Sequence, residues 1–185
     1  MLTKHKYFKN SILMISYSLV MLRREGHYMI DERLFRDAMG KFATGITIVS
    51  MNDEGKNIGM TVNAFMSISL NPKLIAVSID ENASMYDKLC NTEKFGVSIL
   101  KENQQDFSMI YARQKEKDRE IEFIDLDGVP VLKEALATLS CKVTNKVKAG
   151  DHVIIIAEVT DLTVDEGLPL LYFGGKYRKV LPETE

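Results

Sequence analysis

Few residues in this chain are equipped for chemistry, and their scarcity narrows it. There are 3 histidines (His5, His27 and His152) and 2 cysteines (Cys90 and Cys141). The first two histidines fall in an N-terminal stretch unlike the rest, so a metal cluster or a Ser-His-Asp triad would rest on His152 alone. That nearly excludes zinc hydrolases. The cysteines lie far apart with no Cys-x-x-Cys, which argues against a zinc site or disulfide framework. Both thiols read as small apolar packing groups in a reducing compartment, and the cytoplasm is expected. No metal site is expected. No Gly-x-Gly-x-x-Gly, Walker loop or Gly-x-Ser-x-Gly elbow is present.

Two features remain. The first is the stretch Gly59 to Ser69, GMTVNAFMSIS, where small and hydroxyl residues crowd an otherwise apolar strand. Thr61, Asn63, Ser67 and Ser69 share one parity and would project from one face. Gly59 would let a ligand approach the backbone closely. The face is either solvated or ligand-lining, and the pattern leaves both open. The second is His152, which follows Ala149-Gly150-Asp151 and opens an apolar strand. It is either a turn residue bonding local backbone or a ligand contact. Asp151 reads as a turn former.

The elements that must hold these residues follow from composition and periodicity. The chain has 185 residues, 45% of them hydrophobic, with 24 Lys and Arg against 26 Asp and Glu for a net charge of −2. This is one globular domain without the basic excess that draws a protein to nucleic acid. Residues 1–28 differ. Lys4, His5, Lys6 and Lys9 precede an apolar run from Ile12 to Leu22, followed by Arg23-Arg24-Glu25. The run is short of the roughly 20 residues a spanning helix needs, so no stable membrane insertion is expected. Three readings stay open: a start of translation at Met29, an amphipathic membrane-surface tail, or a dispensable extension. The folded domain is expected over 29–185.

Within it, Asp31 caps an expected helix whose stripe runs through Leu34, Phe35, Ala38, Met39, Phe42 and Ala43, with Gly45 as its stop. Strands are expected over Ile46 to Met51, Ile58 to Ser69, Leu74 to Ile79 and Phe95 to Leu100, with a last short one from Leu170 to Phe173. Leu136 to Val147 and His152 to Thr163 form a hairpin. Asn82 or Ser84 caps a short helix ending near Cys90, and Asn103 caps another ending near Ala112. Arg113 to Glu122 reads as a charged loop and Asp127-Gly128-Val129-Pro130 as a turn. About seven strands joined by short segments imply a mainly β fold with short helices, closed as a largely antiparallel barrel.

Six blocks in order resemble one known family. Phe35 to Val49 (FRDAMGKFATGITIV) is similar to the opening of the flavin reductase-like, FMN-binding split-barrel family. Gly59 to Ser69, Pro72 to Ile79, Phe95 to Leu100, Gly128 to Leu132 and Gly150-Asp151-His152 follow in that family's order. The resemblance implies a Greek-key split β-barrel, a homodimer, and NAD(P)H-dependent reduction of FMN, with FAD as the other candidate. It also implies hydride transfer to flavin N5 and delivery of reduced flavin or electrons to a monooxygenase or another acceptor. An FMN-binding electron carrier and a non-enzymatic flavin-binding protein are the alternatives.

Carried onto this chain, Gly59, Met60, Thr61, Val62, Asn63, Ala64, Met66 and Ser67 would lie along the flavin ring. Ser78, Ser84 and Lys88 would approach the ribityl chain and phosphate. Ala112 and Arg113 would close over phosphate or ring. His152 would reach the flavin and nicotinamide, with Tyr172 and Tyr177 as an aromatic wall beside it. Asn63-Ala64 and Met66 depart from the commoner pattern and leave FMN against FAD open.

Overall fold

The computed structural model describes residues 30–181, so the readings of residues 1–28 lie outside it. The described chain falls into two units, divided between Met39 and Gly40. The first holds helix α1 (Glu32–Met39). Asp31 caps it as expected: its Oδ1 accepts the Leu34 N–H at 2.7 Å. The helix stops at Met39, short of the expected stripe. Thr44 and Gly45 instead form strand β1 (Thr44–Gly45), paired with Tyr172 and Leu171.

The second unit is built on seven antiparallel strands. These are β2 (Thr47–Asp53), β3 (Lys56–Val62), β4 (Phe65–Leu70), β5 (Lys73–Asp80), β6 (Lys94–Ile99), β9 (Ala137–Ala149) and β10 (His152–Val164). Their order is β3-β2-β6-β9-β10-β5-β4. The β9–β10 hairpin sits between β5 and β6, which are neighbours in sequence: a Greek-key crossing. Its tip turns at Gly150, whose φ of 64° is left-handed and suits glycine.

The expected single strand from Ile58 to Ser69 is two strands. β3 ends at Val62, β4 begins at Phe65, and they stand at opposite ends of the sheet order. Three Cα steps span at most ~11 Å, so the two sheet edges must lie close together. The sheet therefore curls into a barrel. Among the described residues no ladder joins β3 to β4, and the barrel is split along that seam. The break also cancels the expected shared parity of Thr61, Asn63, Ser67 and Ser69, and a bulge between Ser67 and Ser69 shifts it again. Val49, Val77, Phe95, Val97 and Ile155 fill the interior with almost no exposure.

A second core lies outside β2 and β6. Ile46, Ile48, Leu100, Ile110, Leu132 and Leu170 pack there. They join helix α3 (Gln105–Tyr111), which follows a short 3-10 turn (Glu102–Gln104), to the three-stranded sheet of β1, β11 (Leu171–Phe173) and β12 (Lys176–Arg178). Asn103 falls inside the 3-10 turn and caps nothing; Gln104 Oε1 accepts the Lys101 N–H at 2.9 Å instead. Helix α2 (Tyr86–Asn91) begins without a side-chain cap, so neither Asn82 nor Ser84 plays that role.

Asp127-Gly128 is indeed a turn, but Val129 and Pro130 continue as a strand. β7 (Phe123–Leu126) and β8 (Val129–Leu132) form a hairpin that periodicity did not separate from its charged surroundings. Buried hydroxyls fasten it to the barrel. Ser50 Oγ donates to the Pro130 carbonyl at 2.6 Å, and Ser98 Oγ accepts the Leu132 N–H at 2.9 Å. Asp127 takes Lys94 Nζ at 2.8 Å and Thr160 Oγ1 at 2.7 Å, and these donors, Lys94 first, hold its carboxyl below the usual range.

Gly96 makes this close approach possible. A Cβ there would stand 2.3 Å from the Pro130 oxygen and 2.8 Å from Val131 Cγ1. Both obstacles are buried, so Gly96→Ala should lower unfolding free energy by ~2–3 kcal/mol, read from urea denaturation. A loss below half a kcal/mol would show that the hairpin can lift without cost.

Candidate functional site

The seam carries the site. Thr61 and Asn63 point out of the barrel, and their neighbours Met60 and Val62 point in. Val62 is buried in the barrel core and half-buried Met60 packs against it, so both side chains turn away from the outer face. Their backbones are also committed, Met60 pairing with Val49 and Val62 with Thr47. Gly59 does permit a close approach, but the group above it is Tyr111, whose ring lies 3.3 Å from a built Cβ, with Ile48 Cγ2 at 3.1 Å.

Thr61 Oγ1 donates to the Ser108 carbonyl at 2.7 Å. Ser108 Oγ, fully buried, bonds the Tyr177 hydroxyl at 3.0 Å. This chain of hydroxyls ties β3, α3 and β12 around a cavity of about 180 Å3. Thr61, Asn63, Ala112, Tyr172 and Tyr177 line it, with Gln114 at its rim. The rings of Tyr172 and Tyr177 meet edge to face at 5.5 Å. Four of the expected site residues, Thr61 on β3, Asn63 just after it, Tyr172 on β11 and Tyr177 on β12, are thus brought together, with Ala112 from the end of α3.

A second cavity of about 340 Å3 shares Ile46 and Asn63 with the first. Its walls include Phe42, Thr44, Thr47 and Phe65. Thr44 Oγ1 is buried there and has no hydrogen-bond partner among the described residues. Among the described residues, no charged side chain lines either cavity. Apolar and aromatic walls with hydroxyl, amide and phenol groups at the edges suit a planar, uncharged ring that carries its own donors and acceptors. The residues therefore fit the isoalloxazine that the resemblance implies.

Across the seam the outer sheet face continues. The Ala64 carbonyl accepts the Ser78 N–H at 3.0 Å, and Ser78 pairs with Ile154. Val77, Val153 and Ile155 face the core, so Ser78, His152, Ile154 and Ile156 face outward, with Met66 opposite Ala76 beside them. Ser67, one residue on, faces the other way. His152 lies two strand spacings from Ala64 and one side-chain pitch along, roughly 12 Å away. It shares the face but does not line the cavities. Its Nδ1 lies 2.7 Å from Asp151 Oδ1. That contact, first, depresses the Asp151 carboxyl.

The remaining expected contacts stand apart. Ser84 is exposed in the turn beyond Asp80. Lys88 is paired with Asp53 at the far end of β2. Arg113, left-handed at φ 58°, is nearer: with Lys115 and Lys117 it lines an open groove that shares Gln114 with the first cavity. Sequence reasoning missed Ser108, Gln114, Phe42 and Thr44. A serine in an apolar helix was the one available signal for Ser108; Phe42 and Thr44 were hidden by the overlong helix. Among the described residues, no group of three metal-ligating side chains occurs, and no helix is long and apolar enough to cross a membrane.

A split barrel with an uncharged, aromatic-walled cleft at its seam is the class of protein these features define. More particularly, the flavin reductase like domain model matches residues 39–181, and the chain belongs to that family. An NADH-dependent flavin reductase of Rhodococcus sp is 39% identical over 148 residues, 78% of this chain and 84% of the relative. The solved structure of flavin reductase PheA2 in its native state is 52% identical, with a TM-score of 0.80, over 82% of this chain and 99% of that one. The styrene monooxygenase flavin reductase from Pseudomonas putida S12 is 36% identical, with a TM-score of 0.76, over 81% and 99%.

Tyr111, packed over Gly59 and edge-on to Phe123, offers a check on the packing of α3 against β3. Burial pushes its phenol up from 10.0 to about 12. The folded state holds the proton more tightly, so the associated stability is complete below pH 10 and lost as pH rises towards 12. The melting temperature should fall over that window, and Tyr111→Phe should flatten the fall. An identical decline in the variant would place the titration elsewhere.

Proposed function

We propose that this chain is an NAD(P)H:flavin oxidoreductase that holds FMN, or FAD, at the barrel seam and hands reduced flavin or electrons to a partner. The observation that carries the reading is the cleft around Asn63, without a charged side chain or a partner for Thr44 Oγ1 among the described residues, and its hydroxyl chain Thr61–Ser108–Tyr177. The family membership and the names of its relatives support it. NADH is favoured as donor by the Rhodococcus relative's name, and a monooxygenase as acceptor by that of the Pseudomonas structure. The unpaired Cys90 and Cys141 fit a reducing cytoplasm.

Flavin, when bound, supplies the hydride-accepting ring, and the protein's task is binding and orientation. Asn63 presents a carboxamide to the ring edge, with Thr61 beside it. The outward-facing Ser78 side chain continues the polar edge along the sheet. Tyr172 and Tyr177 wall the cleft and exclude water, which strengthens each polar contact inside it. His152 reaches the nicotinamide from the outer face.

We assign that face also to a second copy of the chain. Met66 is 55% exposed and Val147 43% exposed, with Ile154 and Ile156 half-buried between them. An exposed apolar patch running across the sheet face from β9 and β10 to the edge strand β4 is a ready surface for association. A dimer across it would place His152 and Met66 of each copy at the interface. Met66→Asp should convert the dimer to monomer in sedimentation velocity and weaken flavin binding together with it; a monomeric wild-type protein would end this part of the reading.

The enzymatic test follows nicotinamide oxidation with and without added FMN or FAD. Flavin-dependent oxidation is expected. Bound flavin with negligible oxidation by either NADH or NADPH would turn the reading to an electron carrier, and failure to bind flavin would end it. His152→Ala should raise the KM for NADH about tenfold, the equivalent of ~1.4 kcal/mol, with the flavin dissociation constant unchanged. Unchanged kinetics would remove His152 from the nicotinamide site.

A further inference from the structure

We propose that Asp151 is a positioning residue for His152: its carboxylate accepts the Nδ1–H and leaves Nε2 as an acceptor for a ligand's N–H, such as a nicotinamide carboxamide. The inference deepens the functional reading and rests on His152 as the nicotinamide contact. Turn formation alone does not account for what Asp151 does. A turn needs its backbone, and that is held separately: the Asp151 carbonyl accepts the Glu81 N–H at 2.9 Å. Glu81 in turn pairs through its carboxylate with Lys148. Gly150 supplies the left-handed turn, and His152 is fixed in the ladder between Asp80 and Ala149. Both Cα positions are therefore set before the side chains meet.

On that frame the Asp151 carboxylate lies 2.7 Å from Nδ1. An ionised carboxylate only accepts hydrogen bonds, so the proton belongs on the histidine nitrogen. The partner of one ring nitrogen decides what the other offers. The other charged groups at this end of the sheet are already engaged. Asp80 accepts from Asn82, and Lys148 is paired with Glu81 while lying 6.0 Å from the Tyr86 ring centre. Asp151 is the carboxylate that meets the imidazole.

The low histidine count makes the test direct. In full-length protein labelled with 15N-histidine, three rings report, and His152→Gln assigns one of them. The neutral ring of the wild-type protein should show the Nδ1–H form. Asp151→Ala, and Asp151→Asn, which keeps the turn-forming shape, should move the ring towards Nε2–H. The KM for NADH should rise about fivefold, the worth of one hydrogen bond, with kcat at saturating NADH within about twofold. In a His152→Ala background, Asp151→Ala should change the KM no further. An Nε2–H wild-type ring, or a ring unchanged in both Asp151 variants, overturns the inference whether or not nicotinamide binds there. A shifted ring with an unchanged KM sustains the positioning role and overturns the nicotinamide reading of His152.

Discussion

Everything in the second unit depends on one short crossing, Asn63-Ala64. Two residues carry the chain from one end of the seven-strand order to the other. That length sets the curvature of the sheet and forces its edges together without letting them pair. A paired seam would have closed the barrel and used every edge N–H and C=O in the ladder. The split instead leaves a strip where the outward side chains Thr61 and Asn63 border open space, with Val62 sealing the core directly behind. Core and cleft are thus two faces of the same few residues.

The outer elements complete the cleft. Helix α3 is held against β3 by the Thr61 to Ser108 bond and reaches β12 through the Ser108–Tyr177 pair. Ile110 and Leu170 anchor the same assembly in the second core. Among the described residues these walls hold no charged side chain and offer a ligand shape, aromatic contact and hydrogen bonds. Charge is gathered elsewhere, at the tip of the β9–β10 hairpin, where Asp80, Glu81, Lys148, Asp151 and His152 meet.

The hairpin tip and the seam are linked through the sheet. Ala64, Ser78 and Ile154 form one cross-strand row, and His152 stands two residues along β10 on the same face. Strands are stiff over that distance, so the spacing between cleft and histidine is a property of register. The β7–β8 hairpin is fastened outside β2 and β6 by Ser50 and Ser98 and backs the same scaffold, with Gly96 admitting its carbonyl.

The sequence by itself determined the mainly β architecture, the long β9–β10 hairpin, the Asp31 cap and the family. Alternation, turn residues and ordered motif blocks are local signals, and they survive folding unchanged. It also marked Thr61, Asn63, Ala112, Tyr172, Tyr177 and His152. The tertiary structure alone decided which of these meet. Nothing local distinguishes one strand of eleven residues from two strands broken at Asn63-Ala64, because the break follows from barrel closure. Nor does periodicity reveal that Gly59 lies beneath Tyr111, that Lys88 is engaged by Asp53, or that Ser108 joins three elements. Those are contacts between residues 35 to 69 positions apart, and only packing brings them into range.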